Sequence, residues 1–332
     1  MNIDDAAREI LRTNGIFKFV DDGPTSLNNG VLQTAKLGSF IKAMKDATVL
    51  LDAASMEPMD SDTKDIDRID QEVELESPTR AEDGTITLTD QDPDFACNTL
   101  IAKKFRARTR VTQDALDVNI EGQGLMNTIQ TVFGGACGRA TERVYIYGDT
   151  TQTGGSIPSG YKAIDGWIKC VDDDNVLYGG GTAQQRDFDP DDIDDIFTKM
   201  KDAQNGAYVD QSVFFVPPLK AVAYQRSLKS KDSNLGDQAN LSAGQLTFEG
   251  RPVVPVPALE WKHNNPTFFG PEDPMFFGRA EDFKYGMFKT VQLRVWEDID
   301  NELWKIRYGF KSDVNFTDET KVILGLPAET AA

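Results

Sequence analysis

The chain has 332 residues with 35 Lys+Arg against 54 Asp+Glu, a net charge of −19, and 39% hydrophobic residues including 19 Phe and 4 Trp. That is enough chain for about two domains and enough apolar material for a packed core, so the acidity does not signal disorder. A charge of −19 repels phosphate backbones and anionic lipid, which excludes a groove-tracking nucleic-acid binder and leaves nucleic acid only as enclosed cargo.

The first nine residues, Met1 to Glu9, lack the basic and apolar regions of a secretory signal, and no stretch approaches about eighteen consecutive apolar residues. The expectation is a protein made in a cytoplasm, with no membrane partner. Between Asp4 and Leu11, the residues Ala6, Ala7, Ile10 and Leu11 fall on one side of a short amphipathic helix that stops near Asn14-Gly15. A second helical stretch carries Leu37, Phe40, Ile41 and Met44. Neither is long enough for a coiled coil, and both read as an arm that needs another surface to pack on.

From Gln71 to Arg110 the pattern alternates: Val73 and Leu75, a polar apex containing Arg80, Glu82 and Asp83, then Ile86 and Leu88. The stretch Leu100 to Arg108 returns as a strand bearing Lys103, Lys104, Arg106 and Arg108. With Asp83-Gly84 as the turn signal, this predicts a long two-stranded hairpin. A lone hairpin is marginal in water, so it is expected to lie against something outside itself.

After Thr112 the period becomes helical. Leu125, Ile129, Val132 or Phe133, Ala136, Ala140, Val144 and Tyr147 form a stripe, and Gly148 is placed as its left-handed terminating glycine. Turn-rich stretches follow at Thr150–Ser159 and Asp172–Thr182. The acidic run from Asp189 reads as a helix start, with Asp189 as N-cap and Pro190 at the first position, ahead of the stripe Ile193, Ile196, Phe197 and Met200. A strand at Ser212 to Val216 then leads into a helix opened by Pro217-Pro218. The last third is mostly strands: Pro252 to Val256, Phe268-Phe269, Met275 to Phe277, Val291 to Trp296 and Leu303 to Phe310.

The residue inventory argues against common enzyme chemistry. The one histidine, His263, sits in a polar turn, which excludes zinc sites built on two or more histidines. No Gly-Lys-Ser/Thr triplet exists for a phosphate loop. Asp90, Asp92 and Asp94 have calcium-loop spacing, but Phe95 stands where the turn needs glycine and Ile101 where a bidentate Glu belongs. Cys97, Cys137 and Cys170 are too far apart for a metal motif and read as buried free thiols. The expectation is no catalytic residue, no cofactor and no metal.

The order of an arm, a long hairpin, one long helix and a mixed α/β insert with late strands resembles the major capsid proteins of tailed bacteriophages with the HK97-type fold. The likeness is carried by Glu142 to Asp149 at the helix end, Ile157 to Gly166, Phe214 to Pro218, Leu246 to Val254 and Phe277 to Phe283. It implies an α+β fold with an N-arm over 1–46 and a peripheral (P) domain beginning at 47–70. An extended E-loop follows over 71–110, then the P domain with its spine helix over 111–165 and a mixed α/β axial (A) domain over 166–274. The chain would return to the P domain over 275–332.

The function so implied is that of a non-enzymatic shell protein, self-assembling into pentamers and hexamers of an icosahedral head that encloses double-stranded DNA in the virion. No long coiled coil precedes the arm, which implies assembly with a separate scaffolding protein, or with none. A portal is a further implied partner, and a decoration protein an optional one. The implied inter-subunit contacts are Arg80, Glu82 and Asp83 at the hairpin apex, Lys103, Lys104, Arg106 and Arg108 at its root, and Ile10 and Leu11 on the arm. An encapsulin-like compartment shell, which shares the fold, is the nearest alternative. A carboxylate-dependent hydrolase or glycan-binding protein is the alternative of a different class.

Overall fold

The computed structural model describes residues 48–70, 79–80, 86–87, 94–114, 123–154, 157–180, 187–204, 209–230, 246–265 and 267–327. The readings at Ile10, Leu11, Glu82, Asp83, Asp90 and Asp92 lie outside these residues.

The body is built on two sheets and one long helix. A short helix α1 (Leu50–Ala53) precedes β1 (Ser55–Met59), which opens a four-stranded sheet in the order β1, β12 (Phe283–Asp298), β13 (Leu303–Phe316), β6 (Lys103–Thr112). β1 runs parallel to β12, and the other two pairings are antiparallel. Along β13 the inner side chains Ile306, Tyr308, Phe310, Val314 and Phe316 are buried and alternate with half-buried outer ones, the period of two that a sheet with one covered face requires.

The inner face is covered by α2 (Gln123–Tyr147), a long helix as its period predicts but turned from the predicted stripe: Val132, Ala136 and Ala140 are exposed, and Gln130, Cys137, Thr141 and Tyr145 are buried, because small and polar residues supply most of the covered side. Tyr145 Oη donates to Ser312 Oγ on β13 at 2.7 Å, so the buried hydroxyl has a partner inside the core. Beneath the sheet Trp167, on the one-turn helix α3 (Trp167–Cys170), packs edge to face against Tyr145 and Phe283, and Tyr145 lies tilted against Tyr285.

The second sheet has six strands in the order β7 (Val176–Tyr178), β14 (Ile323–Leu326), β11 (Met275–Gly278), β8 (Val213–Val216), β10 (Arg251–Pro255), β9 (Thr247–Phe248). α4 (Ile193–Ala203) buries Ile193, Ile196, Phe197 and Met200 in its core, where Phe197 and Phe214 meet at 4.7 Å between ring centres. β8 and β10 are parallel and are joined across α5 (Pro218–Ser230), because a parallel pair needs a crossover. The sheet takes β11 and β14 from beyond residue 274, so the last segment serves both sheets and does not return to the first alone. Phe283 ties the two together, with its ring 5.5 Å from both Phe215 and Phe276 and 5.1 Å from Phe316.

Four local readings are corrected. The N-cap of α4 is Asp192, whose carboxylate accepts from the backbone of Asp194 and Asp195. Asp189 instead accepts from Asp191 N one turn earlier. Gly148 is not left-handed. It is glycine because a Cβ there would meet the Ile164 carbonyl oxygen at 2.6 Å, while Gly166 N donates to Gly148 O at 2.9 Å. Phe268-Phe269 is a turn whose rings pack on Tyr147 and Tyr161, because aromatic clustering outweighs strand propensity there. His263 lies on the one-turn helix Trp261–Asn264.

Candidate inter-subunit surface

The two-stranded element lies earlier in the chain than the alternation suggested. Its arms are β2 (Thr63–Asp70) and β5 (Asp94–Ile101), antiparallel over eight residue pairs from Thr63/Ile101 to Asp70/Asp94. Toward the apex, β3 (Thr79–Arg80) pairs with β4 (Ile86–Thr87), which sets Arg80 opposite Ile86. β2 escapes a period-two reading because only Ile66 and Ile69 are apolar in TKDIDRID.

The root is held by polar contacts. Arg68 pairs with the buried Asp318 carboxylate. Asn98 Nδ2 donates to Phe316 O at 3.0 Å, and Ile101 N donates to Asp313 Oδ2 at 2.6 Å. Burial pushes the Asp313 carboxyl up to about 6, against the pull of the Ile101 and Val314 amides. Met59, Ile66, Leu100 and Ala102 form a small apolar cluster underneath. Above it, Phe95 is 69% exposed and Ile101 45% exposed. Cys97, on the same face, is exposed and corrects the buried reading, whereas Cys137 is buried and Cys170 half-buried, their thiols pushed by burial to about 12.

Lys103, Lys104, Arg106 and Arg108 are not on the hairpin arms. Only Ala102 separates β5 from β6, and from Lys103 onward the chain pairs with β13 as an edge strand of the four-stranded sheet. Phe105 and Ala107 point inward to the core, so Lys104, Arg106, Arg108 and Arg110 share the outer face. Basic side chains on an exposed edge disfavour indiscriminate strand addition.

Arg110, Arg294, Lys305, Arg307 and Lys311 share that outer face and went unread in the sequence. The signal was present in Lys305-Ile306-Arg307-Tyr308, which alternates basic and apolar, but only the strand pairing brings these residues beside β6. At the end of this face a cleft of about 540 Å³ is lined by Arg108, Arg110, Asn301, Leu303 and Lys305. Lys305 pairs there with Asp298. Among the described residues no cluster of three or more His, Cys, Asp or Glu could hold a metal, and no helix is long and apolar enough to cross a membrane.

The described residues thus combine two sheets, a long helix beneath the first of them, a two-stranded element rooted on β13, and a cationic outer face. Residues 30–316 match the Phage capsid family. The chain belongs to that family.

The capsid protein is 22% identical over 306 residues to the prophage capsid protein YqbE of Bacillus subtilis (strain 168), covering 89% of this chain and 92% of that one. Its fold matches a chain of the satellite phage P4 procapsid that includes the size determination (Sid) protein, with a TM-score of 0.63 at 12% identity over 99% of this chain and 98% of the other. It also matches the capsid of a native GTA particle, at 0.54 and 17% identity over 94% and 96% of the two chains. A third match, from Gordonia phage Cozz, scores 0.58 at 12% identity over 84% and 86%. The fold is HK97-like, and the protein is a major capsid protein, a structural subunit of the phage head.

Proposed function

We propose that this capsid protein closes into pentamers and hexamers of an icosahedral head, each subunit laying its hairpin over a neighbour and clipping its 1–46 arm onto another. It works without enzymatic activity. A separate scaffolding protein and a portal take part in assembly in the host cytoplasm, a decoration protein is an optional later addition, and the enclosed double-stranded DNA is held without sequence-specific contacts.

The observation that carries this reading is the hairpin itself. Its root is anchored by Arg68, Asn98 and Ile101, while Phe95 and Ile101 stay open to solvent. Covering those side chains on another subunit would contribute roughly 25 cal/mol per Å² of apolar area removed from water, more than exposed ion pairs supply at about 0–1 kcal/mol each.

Deletion of Ser77 to Thr87 tests it. The expected product is a folded subunit that no longer closes shells. Particles of normal yield and size from that deletion would overturn the reading.

A further inference from the structure

In a chain of net charge −19, the cleft at the end of the outer face is cationic. It brings Arg108 and Arg110 of β6 together with Lys305 of β13, Asn301 and Leu303 around about 540 Å³, within the range of about 300–1,000 Å³ that small-molecule sites occupy. The strand register concentrates the charge. Arg110 stands directly opposite Lys305, and Arg108 directly opposite Arg307, itself opposite Arg294, so a row of three arginines crosses three strands beside the cleft. Like charges directly opposite one another destabilise a sheet. Lys305 is relieved by Asp298, whose Oδ2 also accepts from Asn301 Nδ2 at 3.0 Å. Among the described residues no ion pair includes Arg108 or Arg110, which leaves the cleft with three cations and one neighbouring carboxylate.

We infer that this cleft binds a small solute bearing two or more linked phosphate groups. Every charged side chain that lines it is a cation, so it takes an anion and not a metal ion. Arg108 and Arg110 sit two positions apart on one face of β6, and at about 3.4 Å per residue their side chains leave the strand about 7 Å apart. A ligand that engages both guanidinium groups carries separated anionic groups, and each planar fork sets two N–H donors against two oxygens of a phosphate. Lys305, across from Arg110, adds a third charge from the neighbouring strand.

The acidity of the rest of the chain selects for a compact ligand. Charges are screened beyond about 8 Å at physiological ionic strength, so a small solute meets the cations of the cleft alone, whereas a long phosphate backbone also runs over the acidic remainder. Phosphates held there relieve the repulsion between Arg110 and Lys305 and tie the edge strand β6 to β13. A ligand that binds only the folded chain also raises its thermal midpoint.

Isothermal titration calorimetry of the full-length chain with inorganic triphosphate, at constant ionic strength, tests the inference. Arg108→Ala with Arg110→Ala removes two cations from the cleft. Lys199→Ala with Arg226→Ala removes two from the exposed surfaces of α4 and α5, an equal change of net charge away from it. Arg110→Gln is the milder cleft variant, and circular dichroism establishes the folding of each.

The unaltered chain should bind triphosphate saturably at one site, with a thermal midpoint that rises as triphosphate is added. The double cleft variant should weaken binding by about tenfold or more and Arg110→Gln by about threefold or more, so the inference stays testable if the double variant does not fold. The α4 and α5 variant should change binding by less than about twofold. Absence of saturable binding, or equal weakening by the cleft variant and the α4 and α5 variant, would overturn the inference. Sulfate bound as tightly as triphosphate would reduce the cleft to a general anion contact and overturn the assignment to linked phosphates. A single-stranded oligonucleotide that displaces triphosphate at equal phosphate concentration would overturn it in favour of nucleic acid.

Discussion

The Oε1 atom of Glu142, in the last two turns of the long helix α2, lies 2.7 Å from the backbone nitrogen of Leu50, ninety-two positions earlier in the chain. The same oxygen accepts from Val49 N at 3.0 Å and Leu51 N at 3.2 Å. Helix starts leave backbone donors unpaired, and α1 has no side-chain cap of its own. A carboxylate from the helix thus fixes the point where the N-terminal part of the chain enters the body, at a site where Glu142 is only 2% exposed.

Replacing Glu142 by Ala leaves the buried N–H groups of Leu50 and Leu51 and the half-buried one of Val49 without that acceptor and should cost about 1–3 kcal/mol per unsatisfied buried group, softened by water entry. Glu142→Gln keeps an acceptor oxygen and should be much milder. Denaturant unfolding of the two variants checks the order. Burial raises the Glu142 carboxyl despite the three amides, so its share of stability is full at low pH and falls as pH rises above the carboxylate range.

Asp313 sets a pH window for the hairpin root. Its carboxyl is raised from 3.8 to about 6, so the folded state holds the proton more tightly than the unfolded chain. The stabilisation is present below about pH 4 and is lost as pH rises to about 6. Asp313→Asn should flatten that part of the stability profile in thermal unfolding measured across the window.

Gly166 is the tightest backbone crossing in the loop that follows α2. A Cβ there would meet Gly148 N at 2.6 Å and the Tyr145 and Ile146 carbonyl oxygens at 2.7 Å, all backbone atoms that cannot swing aside. Gly166→Ala should destabilise by about 1–3 kcal/mol, the usual cost of overpacking, measured by the shift in urea midpoint.

Phe283 joins the two sheets through Phe215, Phe276, Phe316 and Trp167. Truncation to Ala should cost about 3–5 kcal/mol and lower the thermal midpoint of the whole subunit. A variant that loosens only one sheet, seen as two separate transitions, would show that the cores are independent.

Local periodicity made some elements readable and hid others. The stripe of α4 is legible because a helix buries one side at a fixed interval, whereas in α2 the covered side runs through Gln130, Gly134, Thr141 and Glu142, so counting apolar residues points instead to Val132, Ala136 and Ala140, which are exposed. The start of α4 was misplaced by three residues because Asp189, Asp191 and Asp192 are all good caps, and only packing selects among them. β12 was seen only over Val291 to Trp296, since Gly286 interrupts its earlier half. That glycine is needed where Met59 Sδ would stand 2.5 Å from a Cβ. The basic stretch of β6 was read correctly as a strand and assigned to the wrong partner, because pairing with β13, some two hundred residues later, leaves no local mark. For the same reason the row of Arg108, Arg307 and Arg294 is visible only once the three strands are aligned.

The most direct test of the account is negative-stain microscopy of the purified full-length chain after size exclusion, with and without its scaffolding protein, at low and moderate salt. The account predicts closed shells, tubes, or free pentamers and hexamers in at least one of these conditions. A folded protein that stays monomeric in all of them, scaffold included, would contradict it.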